Sequence, residues 1–164
     1  IRGPMSWNAQ PQGGFTRADK PFRPLVANWK THNVESQKAD PGSLLNQYKK
    51  LIELRNAEPA LSVGSFTPLS QKDDPILAFI REHQGTKMLV LINYAYRDVT
   101  QLLPADIKAA QWKVVYPVDG GWPSAAKAPA KRAATAKAKK SAAAASGTEI
   151  RMAPQQLLIL KAQG

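Results

Sequence analysis

The chain has no cysteine, so neither a disulfide framework nor a thiolate metal site can be built from it. It also lacks any apolar run near the ~18 residues that a membrane helix needs, and no membrane partner is expected. The first residues carry no apolar signal segment, which gives the expectation of a cytoplasmic protein. The first residue is Ile1 and not Met, so a chain processed or cut from something longer is expected. His32 and His83 have no His, Cys or acid at ligand spacing, so no metal site and no cofactor are expected.

Acidic residues are scarce: 12 Asp and Glu stand against 23 Lys and Arg, for a net charge of +11 and a pI near 10.0. Such a balance raises the question of nucleic acid, but the excess is unevenly placed. Lys127, Lys131, Arg132, Lys137, Lys139 and Lys140 fall within 124–147, a stretch without a single acid and about half alanine. These six cations make up more than half of the net charge. The stretch has one proline and no aromatic, cannot bury a core, and reads as a mobile insertion. Its Lys-Ala wording resembles linker-histone tails, which makes weak, non-specific, salt-dependent association with nucleic acid the competing function. A solvated loop is the simpler reading of the same charges.

What is present is ordinary for a globular protein: 164 residues, 43% of them hydrophobic, enough for one or two small domains with a sizeable core. Residues 1–39 are rich in Pro, Gly and Asn and read as ordered loop with a short helical piece near 34–38. A loop of that length is unusual unless it lines a site or leans on another body. Asp40-Pro41 predicts a helix over 41–57, with Asp40 as N-cap and Pro41 at the first helical position. At 100° per residue Leu44, Leu45, Tyr48, Leu51 and Ile52 share one face, an amphipathic pattern. Pro59 disfavours helix at Glu58 and predicts the stop. The period then shortens, and strands are predicted at 62–67, 76–82, 88–93, 99–103, 112–117 and 157–161, separated by turn signals such as Gln84-Gly85. Strand-like pattern resumes from 148, so the insertion interrupts a domain. Short, regularly spaced strands predict an antiparallel β-sandwich.

The most specific feature is a series of words near the start: Arg2-Gly3-Pro4-Met5-Ser6-Trp7, Gly14-Phe15, Asn33-Val34…Gln37, then Asp40-Pro41…Ser43-Leu44-Leu45…Tyr48…Leu51-Ile52…Leu54-Arg55. In order and spacing they resemble the stretch after the last catalytic motif in α-glucosidases, oligo-1,6-glucosidases and trehalose synthases of the α-amylase family (glycoside hydrolase family 13). The family wording is R-T-P-M-Q-W, G-F, N-V-x-x-Q and D-P-x-S-x-L-x-x-Y. Gly3, Ser6, Asn8 and Phe22 depart from the usual Thr, Gln, Asp and Trp. Ile80-Arg81-Glu82 and Leu91-Ile92-Asn93 echo strands of the family's C-terminal domain.

The resemblance implies a mostly β chain in which 1–60 is the last loop and helix of a (β/α)8 barrel and 61–164 is a C-terminal antiparallel β-sandwich, with the Lys/Ala insertion at 124–147. It implies an α-glucoside as substrate of the parent enzyme and retaining chemistry, which needs two carboxyl groups about 5–5.5 Å apart. The family motifs that carry those carboxylates do not occur here. Glu35, Asp40 and Glu53 fall in cap, helix-surface or turn contexts, so no catalytic residue is assigned and the chain alone is expected to be inactive. Arg2 is the one residue with an implied substrate role, near the glucose at the catalytic centre, where a guanidinium can hold hydroxyls with a planar fork of donors. A structural ion pair is its alternative. Trp7 and Phe15 are expected to pack the long loop rather than to stack on sugar, and Arg55, on the apolar helix face, to snorkel or pair.

Overall fold

A computed structural model describes residues 3–71, 73–117 and 148–163. Two compact units result, Ile1–Ala57 and Glu58–Gly164. Each has its own logic.

The second unit is a β structure. Helix α3 (Pro59–Val63) leads into β1 (Ser65–Pro68), β2 (Ile76–His83), β3 (Thr86–Asn93), β4 (Val99–Leu102), β5 (Trp112–Tyr116), β6 (Glu149–Met152) and β7 (Leu157–Ala162). Five strands form one antiparallel sheet in the order β1-β2-β3-β7-β5, and β4 pairs with β6 in a second. The β2–β3 hairpin turns on Gln84 and Gly85, both at positive φ, as a two-residue I′ connection requires. Strand alternation then sorts the side chains. Ile76 and Ala78, Leu89 and Leu91, Leu158 and Leu160 line one face of the larger sheet. Val99, Ile150 and Met152 come from the smaller one, and together they form a single buried cluster closed by Leu103, Ile107 and Val114. Removing each such side chain from water stabilises the fold by roughly 1.5–3 kcal/mol, so this two-sheet core accounts for the unit.

One buried polar side chain organises the end of the sandwich. Asn93 is fully buried. Its amide donates to the carbonyls of Arg97 (3.0 Å), Met152 (3.3 Å) and Ala153 (2.8 Å), and its oxygen accepts from the Ala95 N–H at 2.9 Å. It thereby satisfies carbonyls in two connections that the strand ladders leave open. Across the start of the unit, the Lys161 ammonium reaches both Glu58 oxygens at 2.8 and 2.9 Å.

The structure corrects the strand expected at 62–67. Residues 62 and 63 close helix α3, and the strand starts at Ser65. Pro59 ends one helix and opens the next, because its fixed φ suits a first helical position and Glu58 takes extended angles before it. Ala60 and Leu61 are buried, with α3 lying against β2 and β3. Gly64 follows because a Cβ there would stand 2.4 Å from the Ala60 carbonyl oxygen and 2.8 Å from that of Glu82. The insertion expected at 124–147 lies outside the described residues.

The first unit has a turn of 3-10 helix at Pro11–Gly14, helix α1 (Val34–Ala39) and helix α2 (Leu44–Ala57). Here too one boundary is corrected. The helix starts at Leu44 and not at Pro41, because the Asp40 carboxylate accepts from the Gly42 N–H at 2.8 Å and makes a tight turn. Ser43 takes the capping place: its carbonyl accepts from Gln47 and its hydroxyl from the Asn46 N–H. Among the described residues of this unit only Ser6, Gly13, Asn33 and Ser43 are buried. No apolar side chain is, and Leu44, Tyr48 and Ile52 on the amphipathic face of α2 are 68%, 61% and 55% exposed.

Candidate functional site

The words that carry the resemblance fold into one polar lattice around the 3–8 segment. Gln12, Gly13 and Gly14 all take positive φ, which costs glycine little and brings the loop back on itself. The Gly13 carbonyl accepts from both the Trp7 and Asn8 N–H groups, at 2.8 and 3.2 Å. At Gly14 a Cβ would lie 2.6 Å from the Asn8 Oδ1, so any larger residue there would have to displace the Asn8 side chain and take φ +66° as well.

The other edge of the segment is held by α1. The first N–H groups of a helix have no partner within it. Here Val34 donates to the Ser6 carbonyl at 3.0 Å and Glu35 to the Trp7 carbonyl at 2.9 Å. Ser36 donates to Asn33 Oδ1 at 2.9 Å while its hydroxyl accepts from the Asn33 N–H, a reciprocal capping box. The Asn33 amide also donates to the carbonyls of Trp29 and Lys30, which explains why a buried asparagine stands there.

Gln37 continues the lattice into α2. Its Oε1 accepts from the Leu45 N–H at 3.1 Å, and its carbonyl accepts from the Ser43 hydroxyl (2.6 Å) and the Asn46 amide (2.9 Å). Asn33, Gln37, Asp40 and Ser43 are thus braces, each coupling one word of the motif to the next. In the sequence Asp40 reads as a cap, while Gln37 and Ser43 stand only as letters of the family words. The signal for them was side chains of the right length placed just before an orphan helix N-terminus.

The sequence-predicted site residue Arg2 lies outside the described residues; the segment from Gly3 onward leads to it. Trp7 and Phe15 stay 49% and 50% exposed, so the packing expected of them is not supplied by this unit. Arg55 is exposed. The His32 ring nitrogen Nδ1 sits 2.9 Å from the Thr31 hydroxyl. Among the described residues no three His, Asp or Glu side chains gather as metal ligands, and no helix is long and apolar enough to cross a membrane. Beside Trp7 runs an open groove of about 590 Å³ lined also by Asn8, Val34, Glu35 and Lys38. Its wall includes the Trp7 ring, on a backbone fixed by the bonds above, beside the side chains of Asn8, Glu35 and Lys38.

Comparison with known proteins fits this geometry. The family model "Alpha amylase, catalytic domain" matches residues 1–64. The α-glucosidase of Schizosaccharomyces pombe is 35% identical over 108 residues, 65% of this chain and 19% of that protein. The oligo-1,6-glucosidase of Bacillus cereus is 31% identical over 123 residues, 73% of this chain and 22% of that one. Among solved structures, the trehalose-6-phosphate hydrolase of Bacillus licheniformis superposes with a TM-score of 0.74 at 25% identity, over 98% of this chain and 25% of that one. The isomaltulose synthase of Erwinia rhapontici NX5 gives 0.71 at 26%, with the same coverage. The chain spans about a fifth to a quarter of the length of the relatives it matches. The nucleic-acid expectation rested on 124–147, outside the described residues, and the names of these relatives give it no support. The motif words, the lattice they form and these likenesses together make the chain a member of the α-amylase family.

Proposed function

We propose that this chain is the C-terminal portion of a retaining, α-glucosidase-like hydrolase of α-glucosidic bonds. In this reading 1–60 supplies the last loop and helix of a (β/α)8 barrel and 61–164 the appended β-sandwich. The observation that carries the reading is the first unit itself. It fixes its backbone with a dense polar lattice and yet buries no apolar side chain among its described residues. A helix with an exposed stripe of Leu44, Tyr48 and Ile52 gains its stability from packing against something else. A barrel of which it is the last helix provides that surface.

The chemistry follows from the division of labour. The carboxylate nucleophile and the proton donor, about 5–5.5 Å apart in a retaining enzyme, come from barrel strands that this chain does not contain. The 3–8 segment, clamped between the Gly13 carbonyl and the start of α1, follows directly on Arg2, the residue that the family wording implies beside the bound glucose. There its guanidinium holds hydroxyls in one orientation, and positioning of that kind contributes to rate through pre-organisation.

Two assays test this. The purified chain, given p-nitrophenyl α-glucoside or maltose, is expected to turn over neither. Turnover abolished by one acid-to-amide substitution within the chain would overturn the reading. A chimera in which this chain replaces the matching part of the Bacillus cereus oligo-1,6-glucosidase is expected to hydrolyse α-glucosides. Arg2→Ala in that chimera is expected to lower kcat/KM by roughly a hundred-fold, the scale of a misplaced substrate, with Arg2→Lys intermediate. A folded chimera indifferent to Arg2→Ala would remove Arg2 from the site.

A further inference from the structure

The sandwich carries a concavity that the proposed catalytic role does not use. It measures about 230 Å³ and opens where the loop after β4 returns to the end of β7, with Trp112, Asp106, Gln111, Gln163 and Lys87 around Ile107. The hollow is built and not incidental. Ile107 is buried at 2% exposure and forms part of the core, and Ile80 and Trp112 pack against the same cluster. The loop is held by three backbone bonds: Ile107 N–H to Pro104 at 2.9 Å, Gln111 N–H to Lys108 at 2.9 Å, and Gln163 N–H to Gln111 at 2.8 Å. The last of these ties the chain after β7 to the loop and brings Gln111 and Gln163 together.

The lining selects a class of ligand. One ammonium, one carboxylate and two neutral amides line it. Lys87 is shared with Glu82 at 3.7 Å, so the hollow offers no free cation to an anion, and the Asp106 carboxylate and the two amides stand as hydrogen-bonding groups. An indole beside planar amides and a carboxylate suits a small neutral ring with one apolar face and hydroxyls at its edge, each hydroxyl both donor and acceptor. The volume is small for a drug-sized ligand and suits a single ring. We propose that this hollow binds one pyranose unit of a neutral glucoside, as a second sugar site in the sandwich. The choice of a sugar among neutral polyols rests on the proposed function; the geometry of the hollow does not.

The test is a titration of the intact, isotope-labelled chain with maltose, read at the Trp112 indole N–H and at the side-chain amides of Gln111 and Gln163. Saturable shifts confined to these groups are expected, with a dissociation constant of roughly millimolar order. Asp106→Asn and Gln111→Ala, both at exposed positions, are expected to weaken binding about ten-fold each while the rest of the spectrum stays unchanged. Sodium acetate and methylammonium chloride serve as charged probes and are expected to leave these signals in place. No shift with maltose, shifts untouched by both substitutions, or a response to a charged probe instead would overturn the proposal. Failure here leaves the chimera's hydrolysis of α-glucosides standing, and loss of that hydrolysis leaves this titration standing, so the two readings fail separately.

Discussion

The two units bury opposite kinds of residue. In Glu58–Gly164 the interior is aliphatic: Ile76, Leu89, Leu91, Ile150, Leu158 and Leu160 are at or below 1% exposure. In Ile1–Ala57 the buried positions among the described residues are Ser6, Gly13, Asn33 and Ser43, while Met5, Trp7, Phe15, Leu44, Tyr48 and Ile52 are about half exposed or more. Hydrogen bonds determine which conformation a chain adopts, but each is worth only about 0.5–1.5 kcal/mol net. They specify the first unit without giving it a driving force for folding. Among the described residues, the fully buried apolar side chains that dominate stability lie in the second. The family words therefore encode a shape, and in the reading proposed above the energy that sustains it comes from a barrel surface outside those words.

The largest expected effect comes from separating the units. Residues 58–164 produced alone are expected to unfold in one cooperative thermal transition, and residues 1–57 alone to show none by circular dichroism. A cooperative transition in the shorter piece would break the contrast. Next in size are truncations matched across the divide. Leu89→Ala or Leu158→Ala should cost about 2–5 kcal/mol by urea denaturation, the range for large-to-small core changes. Leu44→Ala or Ile52→Ala in the same chain should stay within about 0.5 kcal/mol. Equal losses at both sets of positions would mean that the α2 stripe already has a partner.

A smaller effect is expected at Asn93. Replacing it by Ala removes two N–H donors shared among the Arg97, Met152 and Ala153 carbonyls and the acceptor of the Ala95 N–H, at a cost of about 1–3 kcal/mol for the desolvated groups left behind. Asn93→Ala at near-neutral stability would show that the sandwich end does not depend on it. Smallest is the cap of α1: Asn33→Ala should lower stability measured in the chimera by about 1 kcal/mol. In the isolated chain it should not shift the denaturation midpoint, because that midpoint reports the sandwich.

Much of this was legible in the sequence where a local rule had no competitor. The alternation in 76–82 and 88–93 placed two central strands within a residue or two, and Gln84-Gly85 marked the hairpin between them. Pro59 marked the end of α2. The misses came where two rules competed. Asp-Pro suits a helix start, but the Asp40 side chain closed a turn onto Gly42 instead, and the start passed to Ser43. Ser62-Val63 is strand-like in composition, yet the burial of Ala60 and Leu61 drew it into α3. Asn93 stands in the sequence only as part of a pattern, while its function as a buried donor depends on Met152 and Ala153, 59 and 60 residues away. No reading of neighbours in sequence finds such a contact. The site was legible only as words: Asn33, Gln37 and Ser43 gained a physical reason once the helix N-termini they serve were in place. The concavity at Trp112 left no motif at all, because its lining is drawn from β2, β3, the 104–111 loop, the start of β5 and the end of β7.

Amide hydrogen exchange on this chain alone and on the same residues inside the oligo-1,6-glucosidase chimera shows whether α2 depends on an outside surface. The account predicts that amides of α2 from Gln47 to Ala57 exchange rapidly in the isolated chain and become at least about a hundred-fold slower in the chimera, as for a helix that gains its packing surface. Amides of β2, β3 and β7 should be equally protected in both. Strong protection of α2 in the isolated chain, matching that of the central strands, would contradict it.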